Sequence, residues 1–331
     1  MCWKEASAGR ATGSASTPKL IDAETDAHLW AERFDHDTAD LFALQDEITS
    51  RIAIALNLEI TRREAARPTV NPDALDYILR GRATKLKPNS RDLYAEAIRL
   101  FEHALVLDPL SVEAQTELAL ALVARVNDLM TNSAVTDLAR ADALIGQALE
   151  TNPRVAYAHQ VRGRVLQMQE RWEEAIYEFE TALTRNRNSV WALHHLARSK
   201  LRVGSIEEVI PLEEQAIRLS PRDPRIGWWY HVIGTAHLLQ SRTHEAIGWL
   251  EKARSSIPAS PSIRSHLASA YALAGEVKRA AAELAEARLN EELFSSIARV
   301  RAIGGLGVPK IRALYEATYF AGLRKAGMPE E

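Results

Sequence analysis

The chain has 331 residues, of which 47% are hydrophobic and 26% are charged, and its formal net charge is -3 at pH 7. This size and composition fit a folded protein of two domains or one elongated array, and the small net charge excludes bulk attraction to nucleic acid or to an anionic membrane. The single cysteine, Cys2, excludes an internal disulfide and a cysteine-based metal cluster.

The N-terminus carries no targeting signal that the sequence makes visible. Residues 1–18 lack the apolar core of a signal peptide, and we expect them to be disordered. No stretch of the chain reaches the roughly 18 consecutive apolar residues of a membrane-spanning helix. We therefore expect a cytoplasmic protein without a membrane span.

Residues 19–62 have the pattern of a small αβ segment. The stretch KLIDAETDAHLWAERFD, which begins at Lys19, predicts two short strands around a polar turn, and LFALQDEITSRIAIALNLEI predicts a helix with Asp40 as its N-cap. An isolated hairpin has unpaired strand edges, so this segment is expected to be mobile or to self-associate. Residues 63–73 are charged and contain proline, which predicts a linker.

A set of small residues then recurs at intervals of about 34 residues, with longer spacings in two places. The set is Ala97, Ala141, Ala175, Val209, Ala246 and Ala280. Seven residues after each of them stands an alanine: Ala104, Ala148, Ala182, Ala216, Ala253 and Ala287. These spacings put both positions on one face of a helix, and their small size predicts that another helix backbone passes close by.

Prolines follow four of these helices, at Pro109, Pro153, Pro221 and Pro258. Period, small residues and prolines together resemble the tetratricopeptide repeat family, in which each repeat is a pair of antiparallel helices. The resemblance implies a mainly α fold: an α-solenoid of about six helix-turn-helix repeats at 74–111, 112–155, 156–189, 190–223, 227–260 and 261–294, with a small N-terminal hairpin and helix. Residues 295–331 are then a connector with GGLG at 304–307 and a C-terminal capping helix.

The two ends of the chain resemble a second group of proteins. The stretches LIDAETDAHLWAERFD, DLFALQDEITSRIA and LYEATYFAGLRKAGMPEE are similar to bacterial class III adenylate/guanylate cyclases and related regulators, in which a TolB-type domain precedes tetratricopeptide repeats. In that family the catalytic or DNA-binding domain lies upstream of the part that matches this chain. The resemblance therefore implies a regulatory role and not an enzyme, since no catalytic residue of a cyclase can be assigned here.

Other patterns give no catalytic, cofactor or metal site. His194 and His195 are adjacent on a helix, so their side chains point about 100° apart and cannot share a metal unaided. The GGLG stretch lacks the spacing and following lysine of a phosphate-binding loop. No cofactor is expected.

The repeat resemblance implies a ligand groove lined by the first helix of each repeat. Its predicted partner-binding residues are Tyr157, Gln160 and Arg164 in the third repeat, Trp191, His194, Arg198 and Arg202 in the fourth, and Trp228 and His231 in the fifth. Aromatic and guanidinium groups alternate there, which predicts a protein or peptide partner with acidic and bulky apolar residues. The expected function is a protein-interaction module; the alternative is a regulatory fragment of a nucleotidyl cyclase.

Overall fold

The computed structural model describes residues 73–84, 87, 89–289, 292–302 and 305–331, together with the backbone of six short N-terminal strands. The chain divides into two compact units, Met1–Ala121 and Leu122–Glu331. The predicted helix within 37–62 and nearly all of the predicted linker at 63–73 lie outside the described residues.

The N-terminal strands form two antiparallel three-stranded sheets, with the orders β1-β4-β5 and β2-β3-β6. Their bounds are Cys2–Lys4 (β1), Ser7–Arg10 (β2), Gly13–Ser16 (β3), Lys19–Ile21 (β4), His28–Ala31 (β5) and Phe34–His36 (β6). The predicted hairpin is the β4-β5 pair, but β1 covers the other edge of β4. Of residues 1–18, the strands β1, β2 and β3 are described: β1 pairs with β4, β2 with β3, and β3 with β6.

The rest of the described chain is helical, and the predicted mainly α fold is confirmed. Two helices fall in each of the six repeats, and in every repeat except the second the two helices pack on each other. The pairs are Ala74–Thr84 (α1) with Arg91–Leu107 (α2), Val112–Asn127 (α3) with Ala134–Thr151 (α4), Ala156–Met168 (α5) with Trp172–Arg185 (α6), Val190–Val203 (α7) with Ile206–Leu219 (α8), Ile226–Leu239 (α9) with Thr243–Ser256 (α10), and Pro261–Leu273 (α11) with Val277–Leu289 (α12).

In the first compact unit, α1 and α2 pack through a glycine and an aromatic ring. A Cβ added at Gly81 would lie 2.7 Å from Cζ of Phe101, so only glycine fits there. Ser90 caps α2 by accepting a hydrogen bond from the backbone N–H of Leu93. Ala97 and Ala104 are both buried on the same side of α2.

The second unit repeats this packing and explains the recurrent alanines. A Cβ at Gly163 of α5 would lie 2.6 Å from the ring of Phe179 in α6, while Ala175 and Ala182 on either side of Phe179 are buried. The pair α9 and α10 uses Gly234 against Leu250 in the same way. The small residues therefore allow helices to approach closely, and one large side chain fills each gap.

After α12 the chain forms a short 3₁₀ turn at Glu292–Phe294, a helix at Ile297–Ala302 (α13) and a final helical segment. The last comprises Pro309–Tyr315 (α14), a π-helical turn at Glu316–Phe320 and Ala321–Lys325 (α15). We call these three pieces together, residues 309–325, the C-terminal helix.

The sequence predicts a capping helix in residues 295–331. In the structure the C-terminal helix packs along the first helices α7, α9 and α11. Its Ile311, Tyr319 and Leu323 are buried in the same apolar cluster as Leu267 and Tyr271 of α11. The reason is a chemical fit between its tyrosines and glycine and the serines of α11, which periodicity alone cannot predict.

Candidate partner-binding groove

The predicted groove residues lie on the first helices α5, α7 and α9, which neighbour one another in the second unit. We call the side of α5, α7, α9 and α11 that carries them the first-helix face. Seven of the nine are partly exposed: Tyr157, Arg164, Trp191, Arg198, Arg202, Trp228 and His231. The other two, Gln160 and His194, are only 8% and 3% exposed.

Gln160 and His194 each bond to a neighbouring element of the array. The Oε1 atom of Gln160 accepts a hydrogen bond of 2.8 Å from the hydroxyl of Ser189, the N-cap of α7. His194 Nδ1 lies 2.8 Å from Oε1 of Glu213 in α8. Both side chains thus meet a polar partner inside the protein, so they are less suited to contact a ligand than the sequence predicts.

Trp191 is held rigidly on the first-helix face. The guanidinium carbon of Arg225 lies 4.0 Å from its ring centroid, and His194 and Trp229 pack against it at 5.6 and 6.3 Å. Trp228 contacts His231 edge to face at 5.9 Å. The partly exposed indoles are therefore preordered, which reduces the entropy lost when an apolar group docks on them.

A row of buried imidazoles runs from α7 towards the C-terminal helix. His231 meets His266 at 4.6 Å between ring centroids, and His266 stacks on Tyr319 at 4.2 Å. Burial lowers the pKa of His194, His195 and His231 well below its usual value, and the nearby guanidiniums of Arg164 and Arg198 lower it further for His194 and His195. These imidazoles are neutral at pH 7.

Arg198 is the most perturbed cation of this region. Burial lowers its pKa to about 10, and repulsion by Arg202 and Arg164 adds to the effect. Within the part of the chain that the structure describes, its guanidinium has no hydrogen-bond partner. Arg202, one turn later, donates from Nη1 to the Tyr315 hydroxyl at 2.8 Å.

The buried carboxyl group near this cluster is Glu213, which is 0% exposed. Burial raises its pKa well above the usual value, although the charge of Arg198 opposes this. Its Oε2 atom has no partner, while Oε1 bonds to His194. A carboxyl group that stays protonated gives Arg198 no full counter-charge.

We expect Glu213→Gln to change the free energy of unfolding by less than about 1 kcal/mol, because an amide is a neutral group of the same shape that can still bond to His194. Glu213→Ala should cost about 2 to 4 kcal/mol, since it leaves a cavity and an unpaired buried imidazole. Urea unfolding followed by circular dichroism checks both values. Equal large losses for the two variants would show that Glu213 is ionised.

Sequence reasoning missed Glu213, His195 and Tyr315 as members of this region. The sequence does contain a signal for Glu213. This residue lies between Val209 and Ala216, at the position where the other five repeats have a bulky apolar residue. No repeat pattern indicates Tyr315, because it comes from outside the array. In the described residues no group of three or more His, Cys, Asp or Glu side chains is close enough for a metal site.

Comparisons with known proteins agree with this fold. Residues 134–190 match the sequence model of the tetratricopeptide repeat. Over 161 residues the chain is 30% identical to a Rhizobium meliloti (strain 1021) protein named "Putative adenylate cyclase 3", a match that covers 47% of this chain and 27% of that protein. The chain thus spans about a quarter of this relative.

Two solved structures share the fold over most of the chain. The Cut9–Hcn1 hetero-tetramer of APC/C has a TM-score of 0.58 and 14% identity, covering 75% of this chain and 45% of the other. The IFIT1 N216A monomeric mutant, solved with m7Gppp-AAAA, has a TM-score of 0.59 and 17% identity, covering 87% and 68%. At these identities the similarity concerns the fold alone.

The fold is that of a protein-interaction module, and none of the described helices is both long and apolar enough to cross a membrane. Residues 134–190 thus match the tetratricopeptide repeat, helix pairs of the same kind lie before and after that stretch, and over part of its length the chain resembles a bacterial protein named "Putative adenylate cyclase 3".

Proposed function

We propose that the first-helix face of repeats three to five binds an acidic segment of a protein partner. The observation that carries this proposal is Arg198, a partly buried guanidinium without a hydrogen-bond partner in the described residues, which is repelled by the nearby cations Arg202 and Arg164. A segment with carboxylates would supply a counter-charge for Arg198.

The energetic argument follows from the cost of burying charge. A guanidinium removed from water without a partner is strongly disfavoured, and like charges nearby increase that cost. A carboxylate can accept two parallel hydrogen bonds from a guanidinium, and such charge-assisted bonds are about twice as strong as neutral ones. Binding of an acidic side chain therefore relieves a cost that the free protein already carries.

The aromatic residues give the same face an apolar component. Trp228 and Tyr157 are partly exposed, and Trp191 is fixed by Arg225 at 4.0 Å. Rigid aromatic groups near cations are typical of energetically dominant positions in protein interfaces. The preferred partner segment thus combines acidic residues with one or two bulky apolar residues.

The test uses a fluorescein-labelled octapeptide of six glutamates around one leucine and one tryptophan, with binding measured by anisotropy at low and high salt. Arg198→Ala should weaken binding about 10- to 100-fold, the loss of one charge-assisted contact. Arg218→Ala, an exposed arginine on the second helix α8, is the matched control and should leave binding unchanged. Equal binding by both variants would remove this site from the first-helix face.

A second candidate is that the array regulates an adenylate cyclase. The observation that favours it is the 30% identity over 161 residues to the Rhizobium meliloti protein. The test is to add the purified chain to the purified Rhizobium meliloti protein and to measure the rate of cyclic AMP formation. A change in rate supports this role, whereas the chain alone is expected to produce no cyclic nucleotide with either magnesium or manganese.

A further inference from the structure

The C-terminal helix lies where a partner segment would continue along the first-helix face. At its start, the backbone N–H of Val308 donates to the carbonyl of Arg202 at 2.9 Å. A Cβ at Gly307, whose φ is +92°, would lie 2.8 Å from Cα of Arg202. The chain therefore enters the face directly beside the cation cluster, and glycine permits that approach.

Further along, the C-terminal helix binds α11 through specific polar contacts. The hydroxyls of Tyr319 and Ser265 are 2.8 Å apart, and Ser269 donates from Oγ to the carbonyl of Tyr319 at 2.8 Å. One turn later the backbones meet: a Cβ at Gly322 would lie 2.5 Å from the carbonyl oxygen of Ser269. Tyr319 and Gly322 thus match the two serines of α11, Ser265 and Ser269.

We infer that the C-terminal helix is a tethered ligand of the first-helix face and competes with the partner for it. This inference rests on the proposed function, because it concerns regulation of the same surface. The hydroxyl of Tyr315 accepts a hydrogen bond from Nη1 of Arg202, so the bound helix occupies a donor that an acidic ligand could otherwise use. Release of the helix makes this donor of Arg202 available.

The connection to the array suits a tethered ligand. Residues 304–307 read GGLG, and both Gly305 and Gly307 have positive φ. A short tether keeps a ligand at a high effective concentration, so a free copy of the helix must compete with the tethered one. A partner with high local concentration or affinity can still displace the tethered helix.

The experiment releases the tethered helix by a substitution and then measures whether a free peptide of the same sequence binds in its place. Gly322→Val in the full chain places a branched side chain against the carbonyl of Ser269 and should release the helix. The control is Ala317→Val on the exposed side of the same helix. Hydrogen exchange of the 309–325 amides reports release, and a labelled peptide with the sequence of residues 306–328 reports the vacated face by anisotropy.

We expect the labelled peptide to bind Gly322→Val at least tenfold more tightly than the wild type or Ala317→Val. The peptide that itself carries the Gly322→Val change should bind none of them. If Gly322→Val does not fold, Gly322→Ala provides a smaller group at the same contact, with the same expected order. A released helix with no peptide binding, or unchanged protection in a folded Gly322→Val or Gly322→Ala chain, would overturn the inference.

The acidic octapeptide separates this inference from the proposed function. In Gly322→Val its affinity should rise about fivefold or more, because Arg202 loses its bond to Tyr315. Arg198→Ala should abolish that gain while leaving the protection of residues 309–325 intact. If the labelled helix peptide binds but the octapeptide does not, the proposed function and its regulation by the helix are refuted, and only the binding site for the helix remains. If the helix peptide binds and the affinity for the octapeptide is unchanged, only the competition between helix and partner is refuted.

Discussion

Phe179→Ala is expected to lower the free energy of unfolding of the second compact unit by about 3 to 5 kcal/mol, the range for removing a buried phenylalanine ring. Phe179 is 0% exposed, packs with Leu166 and Leu196, and stacks on His195 at 5.7 Å. The surrounding backbones cannot collapse into the space because Gly163 and Ala175 already stand at close approach. Urea unfolding followed by circular dichroism measures the loss.

The control for this prediction lies on the same helix. Tyr177→Ala removes an aromatic ring that is 68% exposed and should change stability by no more than about 0.5 kcal/mol. A second comparison tests the contact with glycine. Gly163→Ala should destabilise the wild type by about 1 to 3 kcal/mol through the clash with Phe179, but stabilise Phe179→Ala, where the ring is gone and alanine favours the helix.

A Gly163→Ala effect of the same sign and size in both backgrounds would contradict this account of the packing. The glycine would then be required for another reason, such as contact with a different neighbour. The double-mutant comparison isolates the ring contact because the two residues touch directly.

The sequence predicts the repeat architecture well because small residues and helix ends follow from local spacing. Ala175 and Ala182 are buried as the period requires, and α8 ends at Leu219, two residues before Pro221. The position of the C-terminal helix is a tertiary property, which depends on the match between Tyr319 and Ser265. A repeat pattern contains no information about an element outside the array.

The predicted groove residues show the same limit. The period places Arg198 and His194 on the first helix, but only the structure shows that His194 bonds to Glu213 in the interior. A residue can face the partner side of a helix and still be covered by a neighbouring repeat or by the C-terminal helix. The spacing of residues predicts the side of the helix on which a side chain lies. Contacts with other parts of the protein decide whether that side chain is available to bind a ligand.

Acid is expected to destabilise the second compact unit strongly. His194, His195, His231 and His266 all have a pKa below the usual value of about 6.5 because they are buried, and for His266 the value is about 4. The unfolded chain then binds more protons than the folded one below pH 6.5. Stability is therefore fully present above that pH and is lost as the pH falls towards 4.

The size of the effect follows from linkage. Each such histidine costs up to about 1.4 kcal/mol per pH unit below 6.5 until its folded pKa is reached, which gives about 3 kcal/mol for His266 alone. Glu213 acts in the opposite direction, because its raised pKa contributes stability below about pH 4.5 that is lost as the pH rises through the folded value. Four histidines stand against one carboxyl group, so the net effect of acid is a loss of stability.

Urea midpoints measured between pH 8 and pH 5 check this prediction: they should be constant above pH 7 and fall steeply below pH 6.5. In His266→Gln the slope should decrease by about one proton, because the amide cannot titrate but can still donate to the carbonyl of Ser262, as Nδ1 of His266 does at 2.8 Å. Since His266 also stacks on Tyr319 at 4.2 Å, its protonation should loosen the C-terminal helix before the array unfolds. Midpoints that stay level from pH 7 to pH 5 would mean that the imidazoles of the first-helix face are open to water in the folded protein.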